Sequence, residues 1–327
     1  MVVLNSINNS RLMFFMKHTL LILAVLFIII SLIPYLIPLQ QLGGTRQEQA
    51  YSNSIFAEVD GIELHYRWWG DKSGGEANIL LVHGLGGSTF SWRYTAPALE
   101  TDGYRVIAVD LPGFGLSERK EGFDHSADAR AKLLWSLLDL LAPGEKWHLV
   151  GHSMGGATVA AMTLQKPEQV ISITLAAGAL AVFEPSMLNT LVKYPPFGRW
   201  FRVFAPRILL TEDRVEQLLL SAYGRQPTLK EIEGYYLPLT IKNTDAVLVD
   251  LIYTAPMPLL DRVRTLKTPV LCIWGEDDAW VPLEHGHKLA GLLKDARLVI
   301  LPAEGHCPME TSPEIFISEL LNFFEDY

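Results

Sequence analysis

The residues with the clearest chemical potential lie in the run Gly151–Gly155, which reads GHSMG and has Ser153 at its centre. The apolar segment Trp147–Val150 precedes this run, and the small-residue segment Gly156–Ala161 follows it. This order predicts a strand, a sharp turn and a helix, a geometry that exposes a serine hydroxyl as a nucleophile for acyl transfer. Because such a pentapeptide also arises by chance, the chain must in addition supply a base, an acid and donors for an oxyanion.

A base and an acid are available after two later strand-like segments. His306 follows the segment Ala296–Leu301, in a Gly-His-Cys-Pro turn ahead of the last predicted helix. The segment Pro269–Trp274 runs into a turn with three carboxylates, and spacing alone leaves the choice among them open. These are Glu276, Asp277 and Asp278. An imidazole whose tautomer is held by a carboxylate can take the serine proton and return it to the leaving group.

Two N–H groups are predicted to stabilise the oxyanion. One belongs to Met154, the residue after the serine, and the other to Leu85 in the glycine-rich loop His83–Gly87. The glycines allow the backbone to approach a substrate closely. An ordinary strand-to-helix turn is the alternative interpretation of this loop. We interpret His83 as structural, because His306 has the better position for the base.

Eight segments have the length and composition of strands. From the third onward they are nearly continuous apolar runs separated by helical patterns, which predicts an α/β fold with a mostly parallel sheet and helices on both faces. The first two can form an antiparallel hairpin around Asp60 and Gly61. Turns that follow parallel strands share one edge, so Ser153, Asp278 and His306 can meet there. The segments are Ser54–Asp60, Ile62–Gly70, Ala77–Gly84, Tyr104–Asp110, Trp147–Ser153, Ile171–Ala177, Pro269–Gly275 and Ala296–Leu301.

A long insertion separates the sixth strand from the seventh. Residues 180–262 far exceed an ordinary connection of about 2–6 residues, and we predict that they form a helical cap, or lid, over a core made of residues 54–179 and 263–327. Pro195 and Pro196 are predicted to break the cap into short helices. Most of its many aromatic residues should form the cap's own core, and a few should line an apolar pocket that excludes water.

Five motifs together resemble those of the alpha/beta-hydrolase superfamily, across residues 54–327. They are His83-Gly84, the D-x-P-G-x-G-x-S run Asp110–Ser117, the GHSMGG elbow, the G-x-x-D turn Gly275–Asp278, and Gly305-His306. The resemblance implies the alpha/beta-hydrolase fold and a structural role for the Asp110–Ser117 turn. The elbow combined with an apolar N-terminal segment is also similar to membrane-anchored monoacylglycerol lipases and esterases.

The same resemblance implies the composition of the active site. The pattern G-x-x-D-x-x-V-P points to Asp278, with Asp277 in reserve, so the implied catalytic triad is Ser153, Asp278 and His306. The oxyanion hole would consist of the Leu85 and Met154 N–H groups, and no cofactor or metal is implied.

The N-terminal region contains the uncharged apolar segment Thr19–Leu39, which spans 21 residues. A helix needs about 20 such residues to cross a bilayer, so we predict a transmembrane signal anchor. A cleaved signal peptide, and hence a secreted protein, is the alternative. Arg11 and Lys17 predict that residues 1–18 are a short cytoplasmic N-terminus and that the catalytic domain lies on the non-cytoplasmic, periplasmic side. Residues 40–53 are polar and predict a flexible linker.

Charge argues against nucleic acid as a partner. The first 46 residues hold three basic and no acidic residues, which leaves 24 basic against 36 acidic residues in the remainder. Such a domain has no electrostatic footprint for a polyanion. Cys272, in a strand, and Cys307, beside the predicted base, are expected to be free thiols. His285 and His287 are two apart on a predicted helix and face different directions, so they do not indicate a metal site.

The sequence therefore predicts a membrane-anchored serine hydrolase that cleaves carboxylic esters through an acyl-enzyme. A small-molecule or lipid ester, such as an acylglycerol, is the expected substrate. Carbon–carbon bond, amide or thioester hydrolysis on the same scaffold remains an alternative. Epoxide and haloalkane hydrolysis is disfavoured, because those relatives carry an aspartate where Ser153 stands. A ligand receptor with little turnover is the alternative from a different class.

Overall fold

A computed structural model of the protein describes residues 2–40, 43–71, 77–180, 191–254 and 259–327, with side chains from residue 13 onward. The strands are β1 (Ser54–Val59), β2 (Ile62–Trp69), β3 (Asn78–Val82), β4 (Arg105–Val109), β5 (Trp147–His152), β6 (Val170–Ala176), β7 (Val270–Gly275) and β8 (Ala296–Leu301). Within the described residues they form one eight-stranded sheet in the order β1-β2-β4-β3-β5-β6-β7-β8. Neighbours are parallel from β4 to β8, while β1 and β2 are antiparallel. The predicted mostly parallel sheet is confirmed.

The eight predicted strands are all present, with ends that differ by up to two residues from the sequence prediction. The β1–β2 hairpin pairs Val59 with Ile62 across a two-residue turn at Asp60 and Gly61. Both turn residues have positive φ, 49° and 74°. This is the geometry that matches the twist of the flanking strands, and an Asp-Gly pair tolerates it well.

Helices cover both faces of the sheet. They are α1 (Val2–Leu36), α2 (Thr95–Thr101), α3 (Ala127–Leu141), α4 (Met154–Gln165), α5 (Pro195–Ile208), α6 (Glu212–Tyr223), α7 (Leu229–Leu239), α8 (Thr244–Tyr253), α9 (Leu260–Val263), α10 (Leu283–Leu292), α11 (Pro308–Thr311) and α12 (Pro313–Phe324). Along β3, Leu80 and Val82 pack with α3 and α4 on one face, whereas Ile79 and Leu81 pack with α2 and α12 on the other. Alternate residues of a strand point to opposite faces, so a strand covered on both sides is apolar throughout.

Helices α5 to α9 occupy the predicted insertion between β6 and β7, of which residues 181–190 and 255–258 lie outside the described part. Helix α5 packs on α8, and α6 packs on α7. The insertion is divided at Pro195 and Pro196, as the sequence predicts: a helical segment ends at Val192, and both prolines lie at the start of helix α5. Proline is well tolerated in the first turn, where its missing N–H would have no helical partner.

The N-terminal helix differs in extent from the predicted span. Helix α1 begins at Val2 and ends at Leu36, so it starts well before the expected span and stops three residues short of Leu39. Among the described residues, the portion Met13–Leu36 is long and apolar enough to cross a membrane, with a mean hydropathy of 2.8. A membrane anchor and a signal sequence both have these properties.

Side chains of α5 donate hydrogen bonds to three backbone carbonyls at the end of helix α1 and just beyond it. Pro34 cannot donate to the Ile30 carbonyl, and the Trp200 Nε1–H donates to that oxygen instead, at 3.0 Å. The Arg199 side chain donates from Nε to the Pro34 carbonyl at 3.1 Å and from Nη2 to the Ile37 carbonyl at 3.0 Å. A proline removes one intrahelical donor, so the carbonyl four residues earlier needs another partner. The insertion therefore contacts the end of the apolar helix directly.

Residues 43–53, the described part of the predicted linker, make long-range contacts with the folded domain. Gly44 N–H donates to the Thr240 carbonyl at 3.2 Å, and Gln49 Nε2–H donates to the Leu237 carbonyl at 3.0 Å. Arg46 forms an ion pair with Glu63 at 2.7 Å. These contacts hold the segment against the end of α7 and against β2. The composition of a segment does not reveal such long-range partners.

A buried histidine in β5 leads to a prediction about acid stability. The His148 ring lies against Phe324, with ring centroids 4.4 Å apart, and hydrogen-bonds to Ser172 Oγ at 2.7 Å. Burial lowers its pKa to about 4. The unfolded chain, whose histidines titrate near 6.5, binds this proton first, so stability falls as pH drops from about 6.5 to 4.

We expect the variant His148→Gln to lose less stability over that interval, by up to about 1.4 kcal/mol per pH unit. The measurement is the free energy of unfolding by urea in detergent at several pH values from 7 to 4. His125 has a similarly lowered pKa. The free energy of unfolding of the variant should therefore still fall with pH, but less steeply than that of the wild-type protein. Equal slopes in the two proteins would contradict the assignment.

Candidate active site

Ser153 lies on a strained turn between β5 and α4. Its backbone has φ 49° and ψ −117°, a region that non-glycine residues rarely occupy. Ser153 N–H donates to the Ala176 carbonyl at 2.9 Å, and the Ser153 carbonyl accepts from the N–H groups of Gly156 and Ala179. The surrounding backbone thus determines the strained conformation and fixes the position of the side chain.

The glycines around the serine are required by close packing of the backbone. A Cβ atom at Gly155 would lie 2.3 Å from the Val82 carbonyl oxygen, and one at Gly151 would lie 2.4 Å from the Gly155 carbonyl oxygen. At Gly84 a Cβ atom would lie 2.8 Å from His152 Nδ1. These contacts hold the end of β3, the turn and the start of α4 together, which explains the spacing of glycines on either side of Ser153.

Asp278 and His306 form a buried pair. His306 Nδ1–H donates to Asp278 Oδ2 at 2.8 Å. The other oxygen, Asp278 Oδ1, accepts from the N–H groups of Trp280 and Val281 at 2.8 and 2.9 Å. Both side chains are almost inaccessible, whereas Asp277 and Glu276 are exposed. The carboxylate that the sequence pattern pointed to is the one that meets the histidine.

A cavity of about 470 Å³ brings the other predicted residues together. Ser153, His306, Leu85 and Met154 all line it, together with glycines of the loop after β3. Among the described residues no hydrogen bond joins Ser153 Oγ to His306, and the Leu85 N–H donates to no acceptor. Met154 is the first residue of α4, where N–H groups lack intrahelical partners. Catalytic hydrogen bonds are often long without substrate, so this arrangement is compatible with acyl transfer.

His152 is a neighbour of the site that the sequence reasoning missed. Its Nε2–H donates to the His306 carbonyl at 2.9 Å, and the two rings are 4.7 Å apart. Complete burial and the adjacent His306 hold the pKa of His152 well below its usual value. A neutral ring that bonds the backbone of the base orients the loop that carries it. The position between Gly151 and the serine was visible in the sequence, but the partner 154 residues away was not.

His83 and Asp110 lie behind the glycine-rich loop. His83 Nδ1–H donates to the Gly84 carbonyl at 2.7 Å, and Nε2 accepts from the Leu111 N–H at 2.9 Å. Burial lowers the pKa of His83, which favours this neutral form. Asp110 accepts hydrogen bonds from Thr89 N–H, Leu116 N–H and His65 Nδ1–H, each at 2.6 Å. Both side chains therefore use their polar atoms within the scaffold.

The cysteines are free and poorly suited to nucleophilic chemistry. Cys307 lines the cavity but is 4% exposed, and burial with nearby Glu310 and Asp278 raises the pKa of its thiol well above the usual value. Burial raises the pKa of Cys272 to about 12. Since the thiolate is the nucleophile, neither thiol competes with the serine.

A second buried network joins the insertion to the core next to the histidine. Glu310 accepts hydrogen bonds from Tyr223 at 2.8 Å, from Tyr235 and from Arg93. Tyr235 also bonds Ser91 Oγ at 2.9 Å, and both line the cavity. No sequence motif indicates this network, because Glu310 lies 75 or more residues from each of the side chains that donate to it.

The fold and this arrangement define a class of protein. The sequence matches the alpha/beta hydrolase fold family over residues 77–313. The chain therefore belongs to that family, and membership supports a hydrolase activity. Within the described residues, no group of three or more histidine, cysteine, aspartate or glutamate side chains is arranged to hold a metal ion.

Two proteins of similar sequence and one of similar structure are the following. The chain is 31% identical over 272 residues to YugF, an uncharacterized hydrolase of Bacillus subtilis (strain 168), a match that covers 82% of this chain and 96% of that protein. It is 30% identical over 295 residues to a 2-hydroxy-6-oxononadienedioate/2-hydroxy-6-oxononatrienedioate hydrolase of Burkholderia vietnamiensis, covering 84% and 96%. The crystal structure of a membrane phospholipase A, a bacterial virulence factor, superimposes with a TM-score of 0.70 at 24% identity, covering 95% of this chain and 98% of that one.

Proposed function

We propose that this protein is a membrane-anchored serine hydrolase that cleaves carboxylic esters with lipid-like acyl groups, such as acylglycerols. The observation that carries the proposal is the cavity that Ser153 shares with His306, whose ring is hydrogen-bonded to the buried Asp278 behind it. Most of its remaining lining residues are apolar, among them Leu180, Leu219 and Leu251. An apolar cavity with a few convergent polar groups fits an ester whose acyl chain is hydrophobic.

The reaction follows from the positions of these groups. Ser153 Oγ attacks the ester carbonyl while His306 Nε2 takes its proton, and Asp278 holds the ring so that Nε2 faces the serine. The N–H groups of Leu85 and Met154 donate to the oxyanion. His306 passes the proton to the departing alcohol, which leaves an acyl-enzyme. Water then attacks the acyl carbonyl while His306 takes a proton from it. As the second tetrahedral intermediate collapses, His306 returns that proton to Ser153 Oγ, and the carboxylic acid is released.

The insertion is assigned as a cap that stands next to the membrane. Its helices α6, α7 and α8 contribute lining residues to the cavity, and α5 hydrogen-bonds the end of α1. Aromatic and aliphatic side chains at the start of α5 and along it are exposed, and amphipathic rings suit a bilayer surface. They include Tyr194, Phe197, Phe204 and Ile208. With α1 as an anchor and Arg11 and Lys17 on the cytoplasmic side, the cavity would lie on the non-cytoplasmic side, close to lipid.

Carbon–carbon bond hydrolysis is a second candidate. The relative from Burkholderia, at 30% identity, is a 2-hydroxy-6-oxononadienedioate/2-hydroxy-6-oxononatrienedioate hydrolase, and the substrates in that name carry a ketone and no ester. The triad and oxyanion donors proposed here would serve an attack on a ketone as well as on an ester. The structural similarity to a membrane phospholipase A favours the lipid-ester assignment, because that match includes part of the N-terminal region.

The test uses the full-length protein in detergent with p-nitrophenyl esters of two to sixteen carbons and with monoacylglycerol. We expect hydrolysis with an optimum at eight carbons or longer, lost in the variant Ser153→Ala. Activity on the acetate alone would contradict the lipid-ester assignment and favour the carbon–carbon or small-ester alternatives. Absence of turnover on every substrate would favour a ligand receptor.

A further inference from the structure

One corner of the cavity contains polar groups that the triad does not use. Arg130, on the first turn of α3, and His125, just before that helix, both line the cavity. Their side chains are almost completely buried, with 4% and 3% of their surfaces exposed. Among the described residues, Arg130 Nε and both ring nitrogens of His125 have no hydrogen-bond partner. Buried polar atoms without partners are costly in a folded protein, so such a cluster calls for a ligand.

The charge of Arg130 is not neutralised inside the cavity. Burial lowers its pKa to about 10, so the guanidinium remains charged at neutral pH. Asp124 is the acidic residue whose charge acts on it, but that carboxylate is exposed and accepts hydrogen bonds from Ser126 N–H and Oγ–H, at 2.9 and 3.0 Å. No aspartate or glutamate is among the described residues that line the cavity. A buried cation without an anion is strongly unfavourable, and a bound anion would relieve it.

Two neighbouring groups would also stabilise an anion at this corner of the cavity. Helix α3 begins at Ala127, which also lines the cavity, so the positive end of the helix faces this corner. The His125 ring is packed edge-on against Phe114 and Phe123, and burial lowers its pKa to about 4. A neutral imidazole offers one N–H without a competing charge. An oxyanion would therefore meet a guanidinium, an imidazole N–H and a helix N-terminus.

We propose that Arg130 and His125 form a subsite for an anionic oxygen group, a carboxylate or a phosphate, on the part of the substrate remote from the scissile bond. The inference rests on the proposed ester hydrolysis and specifies its substrate class as an amphiphile with a negative charge. Arg130 acts as a specificity residue, because its guanidinium matches the planar or tetrahedral oxygens of such groups through two parallel hydrogen bonds. Ser153 and His306 carry out the same chemistry on neutral and anionic esters.

The experiment compares matched p-nitrophenyl esters that differ only at the far end of the acyl chain. One series ends in a carboxylate, a second in a phosphonate and a third in a methyl ester, with chains too long to cyclise. For the full-length protein we expect kcat/KM for one of the charged series to exceed that of the neutral series by about 10- to 100-fold at the best length. The preferred charged series distinguishes a carboxylate ligand from a phosphate ligand.

Variants assign the preference to Arg130. In Arg130→Met the ratio of charged to neutral kcat/KM should fall to about 1, and in Arg130→Lys it should be intermediate, because a lysine keeps the charge without the paired donors. The matched control is Lys132→Met, which removes a positive charge from the exposed side of the same helix and should keep the wild-type ratio. A ratio of 1 in the wild-type protein, or an unchanged ratio in Arg130→Met, would overturn the proposal.

A competition measurement covers the case in which Arg130→Met does not fold. Hydrolysis of a neutral ester by the wild-type protein should be inhibited at least about tenfold more strongly by an alkyl carboxylate or alkyl phosphonate than by the alcohol of equal length. Equal inhibition overturns the anion subsite. If no ester of any series is hydrolysed in a Ser153-dependent way, it is the proposed ester hydrolysis that fails.

Discussion

The variant Ser153→Ala should lose essentially all turnover, with kcat lower by about 10⁴-fold or more. Removing the hydroxyl removes the atom that forms the acyl-enzyme, and the residual rate would come from the oxyanion donors and substrate binding alone. The strained turn does not depend on the hydroxyl, because it is held by backbone hydrogen bonds to Ala176, Gly156 and Ala179. The loss should therefore be catalytic, with little change in thermal stability.

Two measurements accompany this variant. A fluorophosphonate probe should label the wild-type protein and fail to label Ser153→Ala, since only an activated serine reacts. The control is Ser91→Ala, which removes another hydroxyl from the same cavity and should retain labelling. Turnover by Ser153→Ala within tenfold of the wild-type rate would refute the acyl-enzyme mechanism. Absence of labelling in the wild-type protein would favour a receptor over an enzyme.

The variant Asp278→Asn is expected to lower kcat by about 10⁴-fold at neutral pH. Asp278 Oδ1 accepts from two backbone N–H groups, so an asparagine must keep its carbonyl oxygen there and turn its NH₂ group toward His306 Nδ1. Nδ1 would then accept a hydrogen bond, which places the ring proton on Nε2. An Nε2–H cannot take the proton from Ser153, so the base is present in the wrong tautomer.

The neighbouring carboxylate provides the control for this prediction. Asp277 is exposed in the same turn, and Asp277→Asn makes the same chemical change without contact to His306. We expect its kcat to stay within a few-fold of the wild-type value. If Asp277→Asn were the inactive variant and Asp278→Asn the active one, the assignment of the acid would be reversed.

Much of the fold could be predicted, because the strands and the surrounding turns carry local signals. Continuous apolar runs such as Leu149–Val150 in β5 indicate that a strand is buried on both faces of the sheet. The Asp60-Gly61 pair predicts a hairpin turn. The segments that were misjudged lack such signals. Gln49, in a stretch of polar composition, donates to the Leu237 carbonyl at the end of α7, and helix α1 begins at Val2 rather than near Thr19.

The sequence by itself determined the family and the identity of the residues proposed to act, because the glycines and turns around Ser153, Asp278 and His306 follow local rules of backbone geometry. Only the tertiary structure decided which polar groups face the cavity. His125 and Arg130 lie on an ordinary helix start with no motif, and Glu310 meets Tyr223 and Arg93 across distant segments. Whether a polar side chain is buried, and whether it has a hydrogen-bond partner, depends on how helices and strands pack together. No pattern along the chain can therefore predict it.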